Sequence, residues 1–116
     1  MNLQSKEIYD LHADFCKNMA NPWRLMIINL LAQGEASVGQ LAEQLGVPLA
    51  NVSQHLAVLR SKHIVAFRKD GQTAYYRLID QRMNDACNLI RQILLDSLRR
   101  SGEIAGEISM EELAPD

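Results

Sequence analysis

Apolar residues recur at three- and four-residue steps over Ile8, Leu11, Phe15 and Met19, with Cys16 beside them, and this spacing predicts an amphipathic helix from Ile8 to Ala20. Asn21-Pro22 then pairs a capping side chain with a proline at a first helical position, so a second helix starts here. It continues through the largely apolar run Leu25 to Ala32 and is expected to be buried and to end near Gly34. Ser37 followed by Gln40 reads as a capping box, and Val38, Leu41, Ala42 and Leu45 form one stripe before Gly46 stops a short third helix. After Gly46-Val47-Pro48 a fourth helix is expected from Leu49 to Ser61, with Leu49, Val52, Leu56 and Leu59 on its apolar side. Two short helices joined by so tight a glycine-bearing turn match a helix-turn-helix over about residues 37–61.

The period then changes. Ile64–Lys69 and Thr73–Ile79 are β-prone runs separated by Asp70-Gly71-Gln72, a hairpin signal because Asp and Gly both tolerate positive φ. A hairpin directly after a helix-turn-helix, here about residues 64–79, is a wing. Asp80 is expected to cap a long last helix running to about Arg100, with Met83, Ala86, Cys87, Ile90, Ile93, Leu94 and Leu98 as one stripe and Gly102 as its stop. The predicted fold is mainly α with a small β-hairpin, a winged helix-turn-helix in the order α-α-α-α-β-β-α. Residues 1–102 make one DNA-binding and dimerisation domain, and residues 103–116 an acidic, mobile tail.

Composition adds less than charge placement. The 116 residues are 47% hydrophobic and 22% charged, a folding composition with room for one core. No run is long enough to span a membrane, and the polar start lacks the apolar region of a secretory signal, so a cytoplasmic protein with no membrane partner is expected. The net charge of −2 argues, by itself, against a polyanionic partner. Segment by segment the picture reverses. Residues 48–77 carry Arg60, Lys62, Arg68, Lys69 and Arg77 against Asp70, a net +4, whereas residues 103–116 carry five acids and no base. A basic stretch spanning a helix and its wing suits phosphate neutralisation; the bland alternative is a solvated face.

On a helical wheel Ala50, Asn51, Gln54 and Ser61 fall opposite the apolar side of the fourth helix. Asn and Gln amides pair with adenine N6 and N7 in the major groove, so Asn51 and Gln54 are the base-reading candidates. Ser53 and His55 flank them as phosphate or edge contacts, with packing as an equal reading for His55. Arg60 and Lys62 lie in the basic stretch, and Arg68, Lys69, Gln72 and Thr73 frame the wing tip, where they would contribute positional affinity. So small a reading head needs a two-fold dimer on a pseudo-palindromic site, and the first and last helices, each with a wide apolar stripe, are assigned to pairing.

Met19-Ala20-Asn21-Pro22-Trp23-Arg24-Leu25, Ser37-Val38-Gly39-Gln40-Leu41-Ala42, Val52-Ser53-Gln54-His55-Leu56-Ala57-Val58-Leu59-Arg60 and Gly71-Gln72 with Tyr75-Tyr76-Arg77-Leu78 together resemble the ArsR-type (ArsR/SmtB) winged-helix repressors. The likeness spans about residues 5–100. It implies a homodimeric repressor of a double-stranded DNA operator, joined through its first and last helices and released by an inducer. The departures bear on that inducer. Members sensing arsenic, cadmium or lead carry a Cys-x-Cys pair where this chain reads Ser37 to Leu41. Those sensing zinc or cobalt carry an Asp-x-His pair and a later His-x-x-His or His-x-x-Glu pair where it has Asp80-Gln81-Arg82 and Asn88 to Arg91. No metal site and no cofactor is therefore expected. Members sensing reactive sulfur use a cysteine in the second helix, where Asn29 stands, and one later in the last helix than Cys87. Pro48 replaces the hydroxyl cap that many members place before the fourth helix.

Cys16 and Cys87 each fall on a stripe assigned to pairing. They read as small buried hydrophobes, as a redox or sulfur switch, or as part of a thiol metal site with His12. No acid-base or nucleophile constellation accompanies the isolated histidines, so an enzyme is not expected. The rival to a DNA-binding regulator is a winged-helix module used only for protein contact.

Overall fold

The computed structural model describes residues 2–102. The acidic tail expected at 103–116 lies outside the described residues. The chain divides into two bodies, one ending at Asp80 and one beginning at Gln81.

The first body contains α1 (Lys6–Met19), α2 (Pro22–Ala32), β1 (Ala36–Ser37), α3 (Val38–Leu45), α4 (Leu49–Ser61), β2 (Val65–Asp70) and β3 (Thr73–Leu78). Local chemistry sets most of these boundaries. The Asn21 side chain accepts from the backbone N–H groups of Trp23 and Arg24, satisfying two donors that the first turn of α2 leaves open. Ser37 and Gln40 close the capping box reciprocally at the start of α3, and Gly46 ends that helix at φ 69°, a conformation costly for any side chain with a Cβ. No side chain caps α4, whose N-cap is Pro48. Its carbonyl accepts from the N–H groups of Asn51 and Val52 instead.

The core joins Ile27, Ile28 and Leu31 of α2, Leu41 and Ala42 of α3, and Val52, Leu56 and Leu59 of α4 with Ile64, Val65 and Leu78 of the wing's base. Leu49, expected on the apolar side of α4, is 56% exposed because it stands in the first turn, beyond the reach of the core.

The sheet has three strands in the order β1-β3-β2, all antiparallel. β1 is an addition to the predicted fold. Its two residues pair Ala36 with Tyr76 and Ser37 with Tyr75, too short a run to show alternation in sequence. Asp70 pairs with Thr73, so the connection is the two-residue Gly71-Gln72 and not the expected Asp70-Gly71-Gln72. Gly71 sits at φ 62°, as a tight hairpin of this kind requires.

The second body is α5 (Arg82–Ser101), stopped by Gly102 at φ 75°. Gln81, not Asp80, occupies its N-cap, in helical φ/ψ and without a side-chain cap bond. The single stripe expected on α5 resolves into two faces. Cys87 and Leu95 are buried, whereas Leu89, Ile90, Ile93 and Leu94 are exposed, Ile93 by 65%.

Candidate nucleic-acid interface

α4 carries the polar face that the helical wheel predicts. Asn51, Ser53 and Gln54 are exposed, and Val52, Leu56 and Leu59 anchor the opposite side. A helix held by three buried aliphatic side chains presents its amides with little freedom of rotation, and such pre-ordering favours paired hydrogen bonds to a base edge.

His55 is placed differently. It is half-buried, and its Nδ1 accepts from Nε of Arg24 at 3.2 Å, while Nη1 of Arg24 donates to the carbonyl of Asn18 at 2.9 Å. Burial first, and the Arg24 charge second, hold the imidazole pKa below its ordinary value. With Nδ1 accepting, the ring proton resides on Nε2. His55 thus has a packing role through Arg24, a residue whose part the sequence pattern does not show. Its signal lies in Asn21-Pro22-Trp23-Arg24, a stretch that both starts α2 and belongs to the family motif.

The cations of the basic stretch are not equivalent. Lys62 donates to Asp14 on α1 at 2.9 Å, and this hydrogen bond and its charge lower the Asp14 carboxyl pKa. Arg60, exposed at the end of α4, lies over the Phe67 ring at 4.3 Å, and Phe67 packs on its cross-strand partner Tyr76 with centroids 5.3 Å apart. Arg68 donates through Nε and Nη2 to both oxygens of Glu35, at 3.1 and 2.6 Å, and stacks over Tyr75 at 4.9 Å. That bidentate bond lowers the Glu35 pKa and raises that of Arg68. Lys69, Gln72 and Thr73 are exposed at the hairpin tip, and among the described residues Lys69 has no ion pair. The structure thus brings Asn51, Ser53, Gln54, Arg60, Lys69, Gln72 and Thr73 to the surface without ion pairs among the described residues, and ties His55, Lys62 and Arg68 to protein partners.

The thiols also separate. Cys16 is exposed on α1, a helix that buries none of its residues, and Cys87 is buried on α5. Among the described residues no group of three or more His, Cys, Asp or Glu side chains is arranged to hold a metal ion, and no helix is long and apolar enough to cross a membrane.

A helix-turn-helix with an ordered, cation-bearing wing and a polar recognition face defines a winged-helix DNA-binding protein. Residues 21–66 match the family model described as bacterial regulatory protein, arsR family. An HTH-type transcriptional regulator of Mycobacterium tuberculosis is 34% identical over 93 residues, covering 79% of this chain and 82% of that one. Its crystal structure superposes with a TM-score of 0.75 over 84% of this chain and 98% of that chain. Nodulation protein NolR of Rhizobium meliloti is 41% identical over 73 residues, 63% of this chain, and the match spans only 60% of that protein's length. A solution structure from Mycobacterium bovis, described as a homodimeric winged helix-turn-helix DNA-binding domain, is 32% identical with a TM-score of 0.72, covering 86% of this chain and 95% of that one. The chain belongs to the arsR family of winged helix-turn-helix transcriptional regulators.

Proposed function

We propose that this chain works as a homodimeric repressor in the cytoplasm, reading a pseudo-palindromic operator with α4 of each protomer and gripping the flanking backbone with each wing. The observation that carries the reading is the exposed Asn51-Ser53-Gln54 face of α4 beside Arg60 and Lys69. Amides supply base discrimination and the cations supply the salt-dependent affinity. Pairing is supported by two helices with unburied apolar side chains. No residue of the fourteen-residue α1 is buried, and Leu11 is 54% exposed. α5 exposes Leu89, Ile90, Ile93 and Leu94 together. A dimer seated across two half-sites covers promoter DNA, so repression is the simplest output, and an inducer that favours another spacing of the heads relieves it.

The test is binding to a labelled duplex of the gene's own upstream region across a salt series, with a scrambled duplex as competitor. Specific binding that weakens steeply with salt is expected. Equal affinity for both duplexes, or binding indifferent to salt, would leave the fold as a protein-contact module.

A further inference from the structure

Arg68 is the wing cation most fully engaged within the protein. Cross-strand register explains how. Arg68 on β2 stands opposite Tyr75 on β3, and Tyr75 stands opposite Ser37 on β1. Glu35, two residues before Ser37, falls on the same side of the sheet by the two-residue period of a strand. The guanidinium lies over the Tyr75 ring and meets the carboxylate beyond it.

A carboxylate and a phosphate offer a guanidinium the same pair of oxygens, and Glu35 occupies the Nε–Nη2 edge that a phosphate would take. Both side chains remain open to solvent, Arg68 by 51% and Glu35 by 38%, so little desolvation locks the pair and an approaching polyanion can displace it. Tyr75 keeps its place in the sheet when the carboxylate leaves, so the guanidinium retains a stacking platform while it changes partner.

We propose that Glu35 is an internal competitor for the wing's Arg68, a phosphate stand-in that DNA must displace before this arginine joins the interface. The inference rests on the DNA-binding reading above and adds a residue that sets wing affinity. In the free protein Glu35 cancels one of the wing's charges, which lowers affinity for any phosphate backbone equally and leaves discrimination to α4.

A double-mutant cycle on duplex binding at low salt tests it, using the full chain and both an upstream-region duplex and one of random sequence. Glu35→Gln is expected to tighten binding to both duplexes by about two- to fivefold, the reach of one exposed ion pair. In the Arg68→Ala background the same substitution is expected to tighten binding by no more than a plain charge effect. Asp70→Asn, which removes a wing charge that acts on Arg68 through its field and not through a hydrogen bond, sets the scale of a plain charge effect and should depend on the Arg68 background far less than Glu35→Gln does. Tightening by Glu35→Gln that persists undiminished without Arg68 would make Glu35 an ordinary repulsive charge and overturn the proposal. Weakening by Glu35→Gln would also overturn it, by making the carboxylate a brace that aims Arg68 at DNA. If the parent binds neither duplex, the DNA-binding reading itself falls; if it binds and the cycle is flat, only the competitor falls.

Discussion

Arg24 on α2 donates through Nε to Nδ1 of His55 on α4, 31 residues away in sequence, and through Nη1 to the carbonyl of Asn18 at the end of α1. One side chain thereby ties three helices at the back of the recognition element. Lys62 and Asp14 make a second tie between α4 and α1. The recognition helix is therefore tied by side-chain contacts to a helix with an open apolar face.

Arg24→Ala removes the donor and leaves the half-buried His55 nitrogen and the Asn18 carbonyl to find other partners. A loss of about 1–2 kcal/mol in folding stability is expected, read from urea unfolding. In a His55→Ala background the loss should be smaller, because one of the bonds is already gone.

The His55 imidazole is held below its ordinary pKa of 6.5 by burial and by Arg24, so the folded state prefers the neutral ring. The unfolded chain then binds more protons than the native one between the two values. The contribution is fully present above 6.5 and is lost as pH falls through the lower folded value. Urea midpoints measured from pH 8 to pH 5 should fall more steeply for the parent than for His55→Gln. Equal slopes would remove His55 as the titrating group.

Gln54 and Lys69 are expected to fail in different ways. Gln54→Ala should cost about 1–3 kcal/mol of discrimination at one base position while sparing random-sequence binding. Lys69→Ala should weaken all duplexes alike and reduce the salt slope by about one. Titrations of both variants on a matched, a point-mutated and a random duplex separate the two patterns.

Ile93 and Leu94 lie on the exposed face of α5 and are 65% and 55% accessible in the single chain. A charge placed at a buried centre of a pairing face removes most of its affinity. Ile93→Glu should sediment as a monomer at concentrations where the parent sediments as a dimer, with helical content retained. A monomeric parent would refute the pairing assignment outright.

Much of the fold was legible because its signals are local. Asn21-Pro22, the Ser37–Gln40 box, Gly46 and Gly71 each act within about four residues, and each sits at the boundary it predicts. The polar face of α4 followed from helical period alone. β1 did not, since two residues carry no period and pair only because β3 arrives beside them. On α5 the apolar residues merged into one stripe, because periodicity groups side chains by direction and is silent on which of two adjoining faces is covered.

The sequence by itself determined the order of the helices and the hairpin, the turn that makes the wing, and which side of α4 is polar. These depend on propensity, capping and period, which act between near neighbours in the chain. Only the tertiary structure decided which basic residues are still open to a partner. Lys62 meets Asp14 across 48 residues, Arg68 meets Glu35 across 33 and His55 meets Arg24 across 31. Such pairs form when packing of the core brings distant segments within hydrogen-bond reach, so a net +4 counted along residues 48–77 overstates the charge that the folded wing and helix hold ready for DNA.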